Sequence, residues 1–548
     1  MILRSQNVLT MDDDRRIARA VRVEDDRIVE VHEEPDWRPD GQGESVLDFG
    51  DRPVIPGFID VHAHYEVAAR AAYASVDCRV PGCADIADVL EVLRSAARES
   101  ESGWVIGQGN LFLDQKLAEG RLPTREELDQ VSTDVAIALR AGGHITVLNS
   151  KALEVSGIDS GYTPPRGSVT GQPIVEREAD GVRPTGVVKE MDNLLPFPEF
   201  DRGDLRQALK EGAISLFTQH GVTTVGEITE STDGLRAMDE LAFDGELPLR
   251  VAAYLWVPGT MPLEEATSGE LTFDCAPEML SVNGVKIFAD GGFTASSAAV
   301  KRPYATDPGS RGTLAVDRDY VAEVARRASD AGLQLAIHAN GERAQELVCE
   351  GLVQAASDGA LSRPPRIEHA GNFLPDFSLT DRWREAGIIP VPQPVFIFAI
   401  GDFLPTYVGD YGHHGQFPFR ALIDQGWGLS GSSDVWIGSE QRQTNPMFSI
   451  WCCVERRGFS GQAIEPEQAV TVDEALWMHT RGGAAVLGQE ADKGSLEPGK
   501  LADVVVLSED PRAVAPSELP EIKTDYVFLG GKLVYERAGA ADAREAVT

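Results

Sequence analysis

The sequence predicts an α/β protein: a (β/α)8 barrel of the TIM type, with an inserted subdomain and a small composite β-sandwich domain drawn from both chain ends. Three observations predict it. Apolar strand-like runs alternate with helix-periodic runs through the middle of the chain, one long stretch breaks that rhythm, and both ends are strand-rich. The 548 residues exceed one ordinary domain and suffice for a large core.

The first segment reads as short β-branched, alternating strands joined by tight turns: "MILRSQNVLTM", "RRIARAVRVEDDRIVEVHEE" and "ESVLDFGDRPVIPG". "VIPGFIDVHAH" then opens the barrel. Seven further strands follow: "GVTTVGEI", "PLRVAAYLWV", "VNGVKIFADGG", "LQLAIHANG", "PRIEHAG", "GIIPVPQPV" and "WGLSGSSDVW". Between them lie helix-periodic runs such as "DYVAEVARRASDAG" and "ERAQELVCEGLVQAASDG". Strand and helix repeating in this way predict parallel βαβ units, and eight units close a barrel. The stretch from Tyr65 to Phe200 is too long for one crossover helix and carries its own elements, "GWVIGQGN", "DVAIALRAGGHITVLNSKALEVSG" and "PIVEREADGVRPTGVVKE". The chain closes on "GSLEPGKLADVVVLSED" and "KTDYVFLGGKLVYER", with "LGGK" a hairpin turn between Phe528 and Leu533. The predicted division is 1–55 with 487–548 as the composite β domain, 56–64 with 201–486 as the barrel, and 65–200 as the insert. An insertion after a strand's C-terminal end sits over the active-site face of a barrel.

Composition narrows the setting. Hydrophobic residues are 42% and charged residues 25%, a soluble globular profile. No run of eighteen apolar residues predicts a membrane span, and the N-terminus carries charges where a signal peptide needs its apolar region, so a cytoplasmic protein is expected. The six cysteines show neither a disulfide ladder nor a zinc-ribbon spacing and read as reduced, mostly buried thiols. A net charge of -37 repels nucleic acid and anionic membranes, so neither is an expected partner. It fits the acidic proteome of a halophilic, salt-adapted cell, where screening quenches self-repulsion. A homodimer is left open.

"PGFIDVHAHYE" carries His62 and His64 with one residue between them. In a strand, side chains i and i+2 share a face, so both imidazoles converge. Two neutral imidazoles aimed at one point suit a metal ion, most often zinc. Alone the pair reads equally well as surface histidines. Further candidates recur at successive strand ends: Lys286 on strand four, His338 on five, His369 on six and Asp434 on eight. Singly, His338 or His369 reads as a hydrogen-bonded core histidine, Asp434 as a helix cap and Lys286 as a snorkelling side chain. Jointly they have no packing reason to coincide. In the insert, His144 of "AGGHITVLN" is the best candidate for a substrate contact, with Asn149 and Trp104 behind it; Asp290 would orient a ligand or a loop. His220 reads as the end of a helix before Gly221, and His413 and His414 as loop residues.

These motifs together resemble the amidohydrolase superfamily, and within it amidohydrolase family 3, the YtcJ-like group that includes N-substituted formamide deformylases. "PGFIDVHAH", "VKIFADGG", "IHANGERA", "RIEHAG" and "GSSD" resemble its barrel motifs. "GWVIGQGN", "LPTREELDQVS" and "GGHITVLNSKAL" are similar to its insert, and "GSLEPGKLADVVVL" to its composite β domain. The resemblance implies one or two Zn2+ or similar divalent ions per chain. His62, His64 and Asp434 would bind one, His338 and His369 a second, and Lys286, carboxylated on its amine, would bridge them. It implies a metal-dependent hydrolase acting on a non-peptide carbon–nitrogen bond, amide or N-formyl, in a small molecule. A metal ion lowers the pKa of a coordinated water toward neutrality. Asp434 would be the catalytic base and then the acid that protonates the departing nitrogen. The alternatives are a deaminase of the same superfamily, against which Lys286 argues, and a non-catalytic metal-binding regulatory protein, which the complete ligand set disfavours.

Overall fold

The computed structural model describes residues 1–34, 37, 45–165, 173–357, 359–540 and 544–547. Seven of the eight predicted runs form one parallel sheet, in chain order: β1 (Phe58–Ala63), β2 (Val222–Thr229), β3 (Arg250–Trp256), β4 (Leu280–Phe288), β5 (Gln334–His338), β6 (Arg366–Glu368) and β7 (Ile389–Val391). All positions on β1, β2, β3 and β5 are buried. Strands covered on both faces read as continuous apolar runs, not alternating ones. The helices between them are amphipathic. Arg318–Asp330 buries Val321, Val324 and Ala328 and is capped by Asp317, which accepts from Tyr320 N at 2.8 Å.

The eighth run is a correction. Leu429–Asp434 has no regular strand, yet it fills the gap between β7 and β1. On the β1 side Asp434 N donates to His62 O at 2.8 Å and His64 N to Val435 O at 2.9 Å. Asp60 reinforces this seam by accepting from Ser433 N at 2.9 Å. On the β7 side the bonds come from a side chain: Ser432 Oγ donates to Pro392 O at 2.9 Å. "LSGSSD" is built from small polar residues, and on the β7 side the Ser432 hydroxyl takes the place of a backbone ladder. Gly431 is required where the His479 ring crosses, since a Cβ there would lie 2.3 Å from the ring. The result is a nearly closed, TIM-like barrel.

Two further sheets flank it. A nine-stranded sheet combines Ile2–Leu9, Ile17–Glu24, Arg27–His32, Ser45–Asp48 and Pro53–Pro56 with Val504–Leu507, Thr524–Leu529, Lys532–Glu536 and Arg544–Val547. Val504–Leu507 pairs with Pro53–Pro56, which joins the two chain ends. The "LGGK" turn is a two-residue hairpin loop, with Gly530 and Gly531 at φ of 54° and 75° as that tight turn demands. A six-stranded sheet runs from Val76–Asp77 to Pro184–Lys189 and carries its own buried clusters on both faces. Helix Tyr65–Ala74, assigned above to the insert, packs instead on Arg202–Gly212 beside the barrel, sharing a core with Leu205 and Leu209. Among the described residues no helix is long and apolar enough to cross a membrane.

Candidate active site

Strand register stacks the barrel side chains in levels. Lys286, Ala336 and Arg366 are partners on β4, β5 and β6; Phe288, His338 and Glu368 form the next level toward the C-terminal ends. His62 and His64 reach the same end from β1. His62, His64 and Asp434 each offer one ligand atom, all within 4.8 Å of one another. The His62 and His64 Nε2 atoms lie 3.1 and 3.5 Å from Asp434 Oδ1. Their Nδ1 atoms are engaged elsewhere, His62 with Glu368 and His64 with Glu230 at 2.9 Å. Both Nε2 atoms thus face Asp434.

His338 and His369 form a second pair, with His369 Nε2 3.1 Å from His338 Nδ1. His369 Nδ1 lies 2.7 Å from Gln393 Oε1, and that amide is oriented by Nε2 donating to Val391 O at 3.0 Å. His369 therefore carries its proton on Nδ1 and turns a lone pair toward His338. Two of these side chains owe their aim to left-handed backbone: His369 has φ of 72° and Asp434 φ of 49°. Neighbours on a regular strand face opposite ways. The bend at His369 lets it and Glu368 both approach His62, the His62 and His369 rings being 5.5 Å apart.

Lys286 is completely buried, and its Nζ has no hydrogen-bond partner among the described residues. Burial pushes it down to about 8, toward the free amine. The electrostatics around it favour a cation. Burial alone would push His64 down, but Asp434 and Glu230 override it and lift His64 to about 9. Burial pushes Asp434 up, yet His62, His64 and His369 hold it well below the usual carboxylate range. On the other side burial pushes His369 down to about 4, and burial with His369 and Lys286 nearby pushes His338 well down, so both are unprotonated at neutral pH. The donor set, converging imidazole nitrogens, a carboxylate and an orphaned buried amine, fits a divalent metal centre.

The centre opens into a pocket holding ≈ 580 Å³ of unfilled space, its mouth included. His144, His338, His369 and Asp434 supply its polar wall; Phe112, Phe293, Phe396, Ile400 and Trp436 supply an apolar one. His144 thus stands where the sequence predicted. It is partly buried in the pocket wall, with Nδ1 3.2 Å from Glu190 and its ring 5.4 Å from that of Trp436. Burial lowers its proton affinity, but Glu190 outweighs this and the net shift is upward.

Three expected substrate contacts lie elsewhere. Asn149 caps helix Ser150–Val155: its Oδ1 accepts from Ala152 N and Ile137 N, and its Nδ2 donates to Ser132 O and Val135 O, so every polar atom is spent on the insert's own backbone. Trp104 sits in the insert core against Phe197 and borders a separate cleft. Asp290 is buried and accepts from Ala299 N, Asn340 N and Gly341 N, clamping the loops after β4 and β5. It orients these loops and also stands beside an expected ligand, its Oδ1 3.6 Å from His338 Nε2, without lining the pocket. His220 ends a short helix before Gly221, as predicted.

Sequence reasoning missed Glu230, Glu368, Gln393, Glu190 and Trp436. Glu230 follows the end of β2 directly, the one position on that strand where the strand-end rule would have found it. Glu368 stands beside His369 in "RIEH", and Trp436 two residues after Asp434. Glu190 is 46 residues from His144, and nothing in the sequence links them.

Comparison with known proteins agrees with this geometry. A model of the amidohydrolase family matches residues 45–535. The chain is 30% identical over 557 aligned positions to an N-substituted formamide deformylase of Arthrobacter pascens, covering 98% of this chain and 99% of the relative. It is 25% identical to the putative amidohydrolase YtcJ of Bacillus subtilis (strain 168), covering 88% and 89%. A crystal structure of an uncharacterized metal-dependent hydrolase from Pyrococcus horikoshii OT3 superposes with a TM-score of 0.72 at 23% identity, covering 94% of this chain and 99% of that one; it shares the fold. The chain belongs to the amidohydrolase family. With that family it is a metal-dependent hydrolase of carbon–nitrogen bonds.

Proposed function

We propose that the enzyme hydrolyses an amide or N-formyl bond in a small non-peptide molecule carrying an apolar group on nitrogen. The observation that carries this reading is the pocket's division: the polar cluster of His62, His64, His338, His369 and Asp434 on one side, an aromatic and aliphatic wall on the other. The relative named as an N-substituted formamide deformylase supports it. In this reading 65–200 is largely a subdomain that roofs the site, and the two chain ends form a separate β domain.

A divalent ion held by these residues supplies Lewis acidity, polarising the carbonyl and acidifying a coordinated water. Zinc suits the imidazole-rich set. Lys286, buried and unpartnered, would as the free amine add carbon dioxide with release of a proton, and the resulting carbamate would supply oxygen donors to help hold the metal. Asp434 accepts the proton of the attacking water and delivers it to the departing nitrogen, which leaves poorly as an anion. His144, anchored through Nδ1 by Glu190, presents Nε2 to the carbonyl oxygen. The apolar wall holds the nitrogen substituent and keeps bulk water from the reacting atoms.

A panel of N-formyl, N-acyl and cyclic amides tests the reading, with acid and amine release followed for each. Turnover of N-substituted amides with an apolar substituent is expected. Ammonia release from amino-substituted rings alone would overturn it in favour of a deaminase. On the best substrate, His144→Ala is expected to lower kcat/KM by about tenfold or more with metal content unchanged, as loss of a substrate contact does. Wild-type kinetics in that variant would remove His144 from the scheme.

A further inference from the structure

β6 carries two charged side chains into the barrel that the hydrolytic scheme does not use. Arg366 and Glu368 are both completely buried, with Arg366 Nε 2.6 Å from Glu368 Oε1. Glu368 Oε2 contacts His62 Nδ1. The Arg366 guanidinium lies 4.0 Å from the centre of the Tyr254 ring, and the Tyr254 hydroxyl donates to Gln334 Oε1 at 2.6 Å while accepting from Asn283. A continuous column, His62–Glu368–Arg366–Tyr254, therefore descends from the ligand cluster into the barrel.

Stability does not explain this pair. Desolvating two ions costs several kcal/mol each, and apolar residues of the same volume generally pack at least as well. The pair is also poorly satisfied: the Arg366 nitrogens and Glu368 Oε1 lack well-directed hydrogen bonds among the described residues. Glu368's hydrogen bond goes to His62. The other ligand supports differ in kind. His369 leans on the neutral Gln393, and the carboxylate of Glu230 behind His64 is 17% exposed. Only a dry carboxylate with its own counter-ion gives a full charge at close range without water to weaken it.

We propose that Glu368 is the positioning residue for His62: it accepts the Nδ1 proton, fixes the ring and leaves Nε2 for the metal, and Arg366 supplies the counter-charge that keeps Glu368 there. This rests on the reading of His62 as a metal ligand. Removal of such a support typically weakens metal binding 10- to 100-fold.

The test uses the metal-loaded protein equilibrated with a graded zinc chelator, with retained zinc and the thermal midpoint measured at each step. Glu368→Gln keeps the shape and an acceptor oxygen but removes the charge. It is expected to release zinc at about 10- to 100-fold lower chelator concentration, and the part of the midpoint that depends on metal should shrink. If the unpaired arginine prevents folding, the double variant Glu368→Gln with Arg366→Met removes both charges together and should show the same loss of zinc affinity. A purely structural pair would instead lower the midpoint equally with and without metal and leave zinc affinity at the wild-type value; that result overturns the proposal. His62→Ala separates the two failures. If it weakens zinc binding and the Glu368 variants do not, only this proposal falls. If His62→Ala binds zinc like the wild type, the ligand assignment of His62 falls and takes this one with it.

Discussion

Asp434→Asn is expected to lower kcat about a hundredfold or more while most of the metal stays bound, the scale of lost general acid–base catalysis. Asparagine retains the side-chain shape and one oxygen donor, but it has no carboxylate to take up a proton. The geometry makes this substitution selective. Asp434 approaches both His62 Nε2 and His64 Nε2 through Oδ1, and lines the pocket where substrate must sit. Its left-handed backbone is retained, since asparagine tolerates that conformation as aspartate does. Zinc should fall less than when both β1 histidines are removed. Steady-state kinetics with elemental analysis on the same preparation decide the matter: near-wild-type turnover with metal retained would show that another group carries the proton.

Lys286→Ala is expected to cost activity on a similar scale, about 100-fold, and to lose metal as well. The reason is positional. Lys286 is register partner to Ala336 on β5. The lysine's Nζ lies 4.9 Å from the centre of the Phe288 ring with no hydrogen-bond partner among the described residues, and burial pushes it down to about 8, so the nucleophilic amine is accessible near neutral pH. A high-resolution map should show added density on Nζ reaching the ligand cluster. A small carboxylic acid should restore part of the activity of the alanine variant by standing in for the missing carboxylate. An extended, unmodified lysine in an active, metal-replete enzyme would contradict the bridging role.

Which residues were legible follows from how each does its work. His62, His64, His338, His369 and Asp434 were readable because parallel barrels bring strand ends to one face, so sequence position alone implies convergence. Their hydrogen-bond supports were not. Glu368 precedes His369, and period-two alternation places neighbours on opposite faces; the left-handed φ of His369, which breaks that alternation, leaves no mark in "RIEH". Glu190 meets His144 only because the insert's strands Ile145–Leu148 and Pro184–Lys189 pair across a long connection. Asn149 illustrates the opposite error. Near His144 in the chain, it looked like a pocket residue, but an asparagine before a helix satisfies backbone first. The eighth strand was legible in place and not in form: "LSGSSD" occupies the right gap, held by the Ser432 hydroxyl and Asp60 where a ladder was expected.

In the proposed reading the β1 histidines and their barrel partners hold the metal on which hydrolysis depends. Elemental analysis of the purified wild type beside the His62→Ala, His64→Ala double variant tests it most directly. About one to two zinc-like ions per chain are expected in the wild type and a marked loss in the double variant. Equal metal content in the two proteins would contradict it.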